Sequence, residues 1–209
     1  MIRVFLALFV LFPCGVRADV AGEFDYYVLS LSWSPNWCAL EGDDRESPQC
    51  ADGTGFGWTL HGLWPQFDYG YPQDCRTRFA EPNRSETAAM ADIMGTTGVA
   101  WHQWDKHGSC SGLSPADFYA LARRAYEAVT LPDVFMRLDD PVQLPALVVE
   151  AAFLRDNPAL SADAITITCQ SGLIQEARIC LTRDLSFRRC GDDVIRDCAL
   201  DDALFDPVR

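Results

Sequence analysis

Apolar residues recur along the chain in two kinds of pattern, one typical of strands and the other of helices. Partial alternation with aromatic and β-branched residues predicts strands at 24–33, 56–60, 165–169 and 173–181. Helical spacing between capping and breaking residues predicts helices at 85–94, 115–129 and 144–155. This set of elements predicts a mixed α+β fold. Because no internal repeat, low-complexity stretch or linker is found, we predict that residues 19–209 form one domain.

The N-terminus has the pattern of a secretory signal peptide. Arg3 precedes an apolar run at 4–12, and Val16-Arg17-Ala18 offers a cleavage site, so residues 1–18 are predicted to be removed. A membrane anchor is the alternative, but this run is far shorter than the roughly 20 residues that span a bilayer. We therefore expect a secreted or periplasmic protein that has no membrane attachment after cleavage.

The cysteine content favours an oxidising compartment. The chain has 209 residues and nine cysteines, of which Cys14 would leave with the signal peptide. An even number remains, and no CxxC pair of the kind that marks structural zinc is present, so we predict four disulfides. The remaining cysteines are Cys38, Cys50, Cys75, Cys110, Cys169, Cys180, Cys190 and Cys198.

Residues suited to catalysis are concentrated in two short segments. The first, at 58–65, reads WTLHGLWP and carries His61 at a predicted strand end. The second, at 101–110, reads WHQWDKHGSC and carries the other two histidines and the only lysine of the chain. The other sixteen basic residues are all arginine, so a lysine beside two histidines indicates a need for a compact ammonium group.

The second segment is predicted to be an amphipathic helix. At about 100° per residue, a helix places four polar side chains on one face. These are His102, Gln103, Lys106 and His107. The tryptophans at 58, 101 and 104 are predicted to pack in the core, so that the polar face lines a cleft.

A set of histidines with a lysine suits the cleavage of a phosphodiester. One neutral imidazole can take the proton of a ribose 2′-hydroxyl, while a protonated one supplies a proton to the departing 5′-oxygen. The lysine can stabilise the charge that develops on the phosphorane-like transition state. Because the substrate supplies the nucleophile, this chemistry predicts cleavage of RNA and not of DNA.

Other interpretations of the histidines stay open. A histidine beside tryptophans is more often a packed core residue than a catalyst. A metal site of His61, His102 and His107 is a further alternative, but no acidic or cysteine ligand follows at helical spacing, so we expect no metal or cofactor. A different secreted nuclease that acts on DNA is also possible on these residues.

The two segments resemble the active-site segments of the ribonuclease T2 family of secreted, metal-independent endoribonucleases. Their order, their separation and the positions of the later cysteines extend the resemblance over most of the chain. The resemblance implies a central, mainly antiparallel sheet flanked by several helices and stapled by disulfides. It also implies cleavage of single-stranded RNA through a 2′,3′-cyclic phosphate to 3′-phosphate ends.

The resemblance implies a role for each catalytic residue. His107 would be the general base and His61 the general acid. His102 would bind the phosphate, and Lys106 would stabilise the transition state.

Gln103 departs from the family pattern, which normally has glutamate there. A glutamine keeps a donor and an acceptor near the phosphate but loses the charge, so we expect a shifted pH optimum or a reduced rate and not a loss of cleavage. The competing function is a catalytically weak protein that acts by binding RNA or another protein. At the base-binding positions that the resemblance implies, Trp64 would stack a base and Gln66 would contact a base edge.

The resemblance also suggests how the cysteines pair, although sequence alone does not select one connectivity. The suggested pairs are Cys75 with Cys110, Cys169 with Cys198, Cys180 with Cys190, and Cys38 with Cys50. We expect a monomer.

The chain is acidic, with 30 Asp and Glu residues, 17 Lys and Arg residues and a formal net charge of −13. Such a surface excludes nucleic-acid binding over the whole protein, so contact with RNA must be local and stable DNA binding is not expected. Around pH 4 to 5 many carboxylates would be protonated and the histidines cationic. We therefore expect an acidic working pH or turnover of short single strands.

Overall fold

The computed structural model describes residues 19–209, and the predicted signal peptide at 1–18 lies outside the described residues. Six strands and six α-helices lie within the described range. In chain order they are β1 (Tyr26–Trp33), α1 (Ser34–Trp37), β2 (Trp58–Gln66), α2 (Arg84–Ala88), α3 (Ala91–Met94), α4 (Thr97–Lys106), α5 (Pro115–Glu127), β3 (Val142–Leu144), α6 (Ala146–Asp156), β4 (Ile165–Gln170), β5 (Leu173–Leu181) and β6 (Ala203–Phe205).

All six strands belong to one sheet in the order β2-β1-β5-β6-β3, and β4 also pairs with β5. Every pairing is antiparallel except the short contact between β5 and β6. The expected α+β fold with a mainly antiparallel sheet is therefore confirmed. β1 and β5 are the central strands, and every residue of β1 is buried.

The two faces of the sheet bury different groups, because successive side chains of a strand point to opposite sides. Tyr27, Leu29, Leu31 and Trp33 of β1 belong to the main hydrophobic core, into which the helices also pack. On the opposite face, a smaller cluster of Tyr26, Val28, Cys180 and Cys190 packs against Trp64. This second face carries the candidate active site.

Local capping chemistry accounts for several helix boundaries. α5 begins as predicted, since the Ser114 hydroxyl accepts a hydrogen bond from the Asp117 amide and Pro115 occupies the first turn. The continuous helix predicted at 85–94 is wrong, because the chain breaks there into α2 and α3. α2 starts at an Asn83 capping box, and α3 ends at Gly95, whose φ of +79° favours glycine.

The eight described cysteines form four disulfides, in the pairs that the resemblance suggests. They join Cys38 to Cys50, Cys75 to Cys110, Cys169 to Cys198, and Cys180 to Cys190. The bond between Cys75 and Cys110 ties the loop after β2 to the turn that follows α4. None of the helices between residues 19 and 209 has the length and apolar character of a membrane span.

Candidate active site

His61 lies inside β2 and not at the strand end that the sequence predicts. The strand continues to Gln66 because its pairing with β1 extends through the whole segment. Ser30 pairs with Gly62 and Leu31 with Leu60, so His61 is the extra residue of a β-bulge. Bulges redirect side chains and are frequent beside active sites. Here the bulge leaves the His61 side chain partly exposed in a cleft.

The second predicted segment is only partly helical. α4 includes His102, Gln103 and Lys106 but ends there, and His107 has a φ of −125° and a ψ of −44° outside the helix. The helical position predicted for His107 is therefore wrong. The prediction of a buried Trp101 is also wrong, since this side chain is 45% exposed, whereas Trp58 and Trp104 are buried as predicted.

A cavity of about 400 Å³ on this face of the sheet brings the two segments together. All seven residues predicted as catalytic or base-binding line it, although they come from β2, α4 and the turn after α4. They are His61, Trp64, Gln66, His102, Gln103, Lys106 and His107. A neighbouring cavity of about 620 Å³ shares His61, His102 and Gln103 with it, so the cleft extends on both sides of these residues.

Trp64 separates the two histidines that are predicted to transfer protons. Its ring centroid lies 5.3 Å from that of His61 and 5.2 Å from that of His107. Its Nε1 donates a hydrogen bond to the Gln103 side-chain oxygen at 2.7 Å, and the Arg178 guanidinium lies 5.4 Å from its ring. Trp64 therefore contacts Gln103 through its ring nitrogen and the two histidines and Arg178 through its ring.

Gly62 is required by the close approach of the Trp64 and Gln103 side chains. A Cβ atom at this position would lie 2.2 Å from the Gln103 Oε1 and 2.3 Å from the Trp64 Nε1. Such distances are far inside van der Waals contact. A Cβ atom at position 62 would therefore force the Gln103 or the Trp64 side chain to move.

Gln103 is 3% exposed, and its acceptor oxygen is occupied by Trp64. Its Nε2 has no hydrogen-bond partner among residues 19–209 and belongs to a side chain that lines both cavities. The group left for a ligand is accordingly a donor. Gln66 is also buried, and its amide donates to the Pro65 carbonyl.

His107 is buried in a cationic environment. Burial, followed by the charges of Lys106, His61 and His102, lowers the pKa of His107 to about 3. The side chain is 6% exposed, and its Nδ1 has no hydrogen-bond partner in the described part of the chain. The imidazole is therefore neutral at mildly acidic and neutral pH.

Two charged residues of β5 were missed in the sequence analysis. A Glu176 oxygen contacts the His61 Nδ1, and the other oxygen accepts hydrogen bonds from Arg178. Burial by itself raises the pKa of Glu176. His61 and Arg178 outweigh this effect through their hydrogen bonds and their charges, and they lower the pKa of Glu176 to about 2. An acidic residue within an apolar strand was the only local signal of this contact.

The arrangement of the histidines does not provide a converging metal-ligand set. Among residues 19–209, the only cluster of three close His, Cys, Asp or Glu ligand atoms involves Cys38, Asp43 and Cys50. Those two cysteines share a disulfide, so they offer no thiolate. The three histidines have an arrangement that suits proton transfer along a cleft.

The chain belongs to the ribonuclease T2 family, whose sequence model matches residues 24–190. It is 45% identical over 112 residues to a ribonuclease of Aeromonas hydrophila, a match that covers 53% of this chain and 49% of that protein. The chain spans about half the length of the curated relatives it first matches.

Solved structures show the same fold. The S-like ribonuclease trichomaglin has a TM-score of 0.70 and 16% identity, covering 90% of this chain and 100% of its own. RNase NT in complex with 5′-AMP has a TM-score of 0.62 and 19% identity, covering 88% and 99%.

Proposed function

We propose that this protein is a metal-independent endoribonuclease that cleaves single-stranded RNA by transesterification. The observation that carries the proposal is the convergence of His61, Lys106 and His107 on one cleft. Family membership supports a ribonuclease, and so does the shared fold with RNase NT, which was solved in complex with the nucleotide 5′-AMP.

In the first step His107 acts as the general base. Its neutral imidazole takes the proton of the ribose 2′-hydroxyl, and the 2′-oxygen attacks the adjacent phosphorus. His61 gives a proton to the departing 5′-oxygen as the P–O5′ bond breaks, which leaves a 2′,3′-cyclic phosphate. In the second step the roles reverse, and water opens the ring to a 3′-phosphate.

The remaining polar residues of α4 stabilise the phosphate. Lys106 compensates the charge of the phosphorane-like transition state, and His102 binds a non-bridging oxygen. Gln103 offers its Nε2 as a neutral donor because its oxygen is bound to Trp64. This is how cleavage proceeds without the carboxylate that the family normally has at that position.

The part of the cleft near Trp64 and Gln66 is the proposed base-binding region. Tyr71, which was missed in the sequence analysis, lines the same cavity, with its ring centroid 6.3 Å from that of His107. An exposed aromatic ring can stack on a base of any identity. The substrate would thus be held by its base on one side and by its phosphate on the other.

The decisive experiment uses the oxidised protein from residue 19 with a single-stranded RNA oligonucleotide in excess EDTA. We expect products that end in 2′,3′-cyclic phosphate, and losses of about 10²- to 10⁴-fold in His61→Ala and His107→Ala. An oligonucleotide with one ribose among deoxyriboses should be cut only after the ribose. Dependence on a metal, or no cleavage by a folded protein between about pH 4 and 8, would overturn the proposal.

The proposed setting is extracytoplasmic, with residues 1–18 removed as a signal peptide, residues 19–209 forming a single catalytic domain, and the protein a monomer. The four disulfides support an oxidising compartment. Edman sequencing of the protein recovered from its natural host would give Asp19 as the first residue.

A further inference from the structure

A buried carboxylate outside both predicted segments contacts the histidine of the β2 bulge. Glu176 is 2% exposed, and both of its oxygens are occupied, one by the His61 Nδ1 and the other by Arg178 at 2.8 and 2.6 Å. Among residues 19–209, no other carboxylate forms an ion pair with a histidine. This contact joins the centre of the sheet to the proposed proton donor.

The surrounding strands are built to accommodate these long side chains. Across β1, Ser32 pairs with Glu176 and Ser30 with Arg178. Small residues at these two positions leave space on the site face of the sheet. A charge buried on a central strand is costly unless it is paired and hydrogen-bonded, and both oxygens of Glu176 are satisfied in this way.

The contact determines which nitrogen of His61 carries a proton. An ionised carboxylate can only accept a hydrogen bond, so the His61 Nδ1 must be the donor. The Nε2 is then the ring nitrogen left to exchange a proton with the substrate. Arg178 fixes the carboxylate through two of its nitrogens and also lies over the Trp64 ring.

We propose that Glu176 and Arg178 are positioning residues for His61. Glu176 fixes the tautomer and the orientation of the imidazole, and Arg178 fixes Glu176. Gln103 carries no negative charge, and in this proposal Glu176 of β5 provides one beside His61. This inference rests on the proposed function for the role of His61 in catalysis, but the tautomer can be measured without any substrate.

The test is nitrogen NMR of the three histidine rings in protein labelled with ¹⁵N-histidine. His61→Ala assigns the signals. In the unmodified protein at a pH where His61 is neutral, we expect the proton on its Nδ1. In Glu176→Gln the new amide can donate to Nδ1 while its oxygen accepts from Arg178, so the proton should move to Nε2. The matched control, Glu150→Gln on α6, lies outside both cavities and should leave the tautomer unchanged.

Kinetics on an RNA oligonucleotide provide the second readout. Glu176→Gln should lower kcat at least about tenfold and change KM less than about twofold, because the groups that bind substrate are retained while the protonated His61 loses the carboxylate that stabilises it. Arg178→Lys should keep the tautomer but also lower kcat, since an ammonium cannot reproduce the two-nitrogen contact. If circular dichroism shows that Glu176→Gln does not fold, Arg178→Lys is the variant that tests the positioning role.

The outcomes separate the two proposals. An unchanged tautomer in folded Glu176→Gln, or an unchanged kcat in both variants, would overturn the positioning role. A tautomer change in a protein that never cleaves RNA would overturn the proposed ribonuclease activity, while still supporting the contact that orients His61.

Discussion

Replacing His107 with phenylalanine should make the protein less sensitive to acid. Folding buries this imidazole and lowers its pKa from 6.5 to about 3. Between these values the unfolded chain binds a proton that the folded protein does not bind. The free energy of unfolding therefore rises with pH through this window and falls on acidification. Phenylalanine keeps a ring that can pack against Trp64 but has no proton to bind.

The size of the effect follows from the shift. Because of His107, the free energy of unfolding falls by about 2 kcal/mol from pH 7 to pH 5 and by about 3 kcal/mol from pH 7 to pH 4. Whole domains are stable by only about 5 to 15 kcal/mol, so this is a substantial fraction. Glu176, whose pKa is lowered from 4.5 to about 2, acts in the same direction, but mainly below pH 4.5. Glu176 therefore adds little to the pH dependence of stability between pH 7 and pH 5.

The assay is urea unfolding of the oxidised protein, followed by tryptophan fluorescence at pH 7 and pH 5. From pH 7 to pH 5, the free energy of unfolding of the original protein should fall by about 2 kcal/mol more than that of His107→Phe. The control is His102→Gln at an exposed position, which should retain most of the pH dependence. Equal pH dependence in the original protein and in His107→Phe, within about 0.5 kcal/mol, would refute the reasoning.

Three further changes test the packing around the site. Gly62→Ala should push Gln103 away, cost about 1 to 3 kcal/mol in urea unfolding and lower kcat, and unchanged values for both would contradict the contact. Replacing both Cys75 and Cys110 with alanine should lower the free energy of unfolding by about 2 to 4 kcal/mol. It should also lower kcat, because the turn beside His107 is no longer held by the disulfide. Activity equal to that of the original protein at low temperature would show that the disulfide supports only the fold. Trp101→Ser should change the free energy of unfolding by less than about 0.5 kcal/mol. A larger loss would indicate that Trp101 packs in the core, as the sequence predicted.

Elements with strong local signals were predicted well from sequence. β5 occupies the predicted range, and α5 starts at the predicted serine and proline. In both cases the pattern covers at least two full periods or includes a capping side chain that satisfies backbone donors. Such signals act within a few residues, so they do not depend on the rest of the fold.

Elements that depend on distant pairing were missed or were predicted only in part. β3 and β6 are three residues each, too short for a periodic pattern, and they exist because they pair with each other. β2 passes through Gly62 and Pro65, which discourage strands, and pairing with β1 overrides that preference. The bulge at His61 arises from the same pairing.

The site was predicted to the extent that its residues lie in or beside the two short segments. His102, Gln103 and Lys106 share one helix, and residue types alone indicated their chemistry. Glu176 lies 115 residues from His61, and polar residues in an alternating strand usually face solvent. Only the sheet order, in which β1 lies between β2 and β5, brings the carboxylate to the histidine.

The cations that would attract RNA to this acidic protein are the same ones that weaken its proposed base. Lys106, His61 and His102 add to burial in lowering the pKa of His107, and a base with such a low pKa is a poor proton acceptor. A bound phosphate would offset their charge and raise the pKa of His107, while burial, the largest cause of the shift, would keep it below its ordinary value. The base would therefore strengthen when substrate fills the cleft, and it would stay neutral in the empty cleft even at mildly acidic pH. An acidic working pH, which relieves the repulsion between RNA and the carboxylates of the surface, is thus compatible with a base that must be unprotonated.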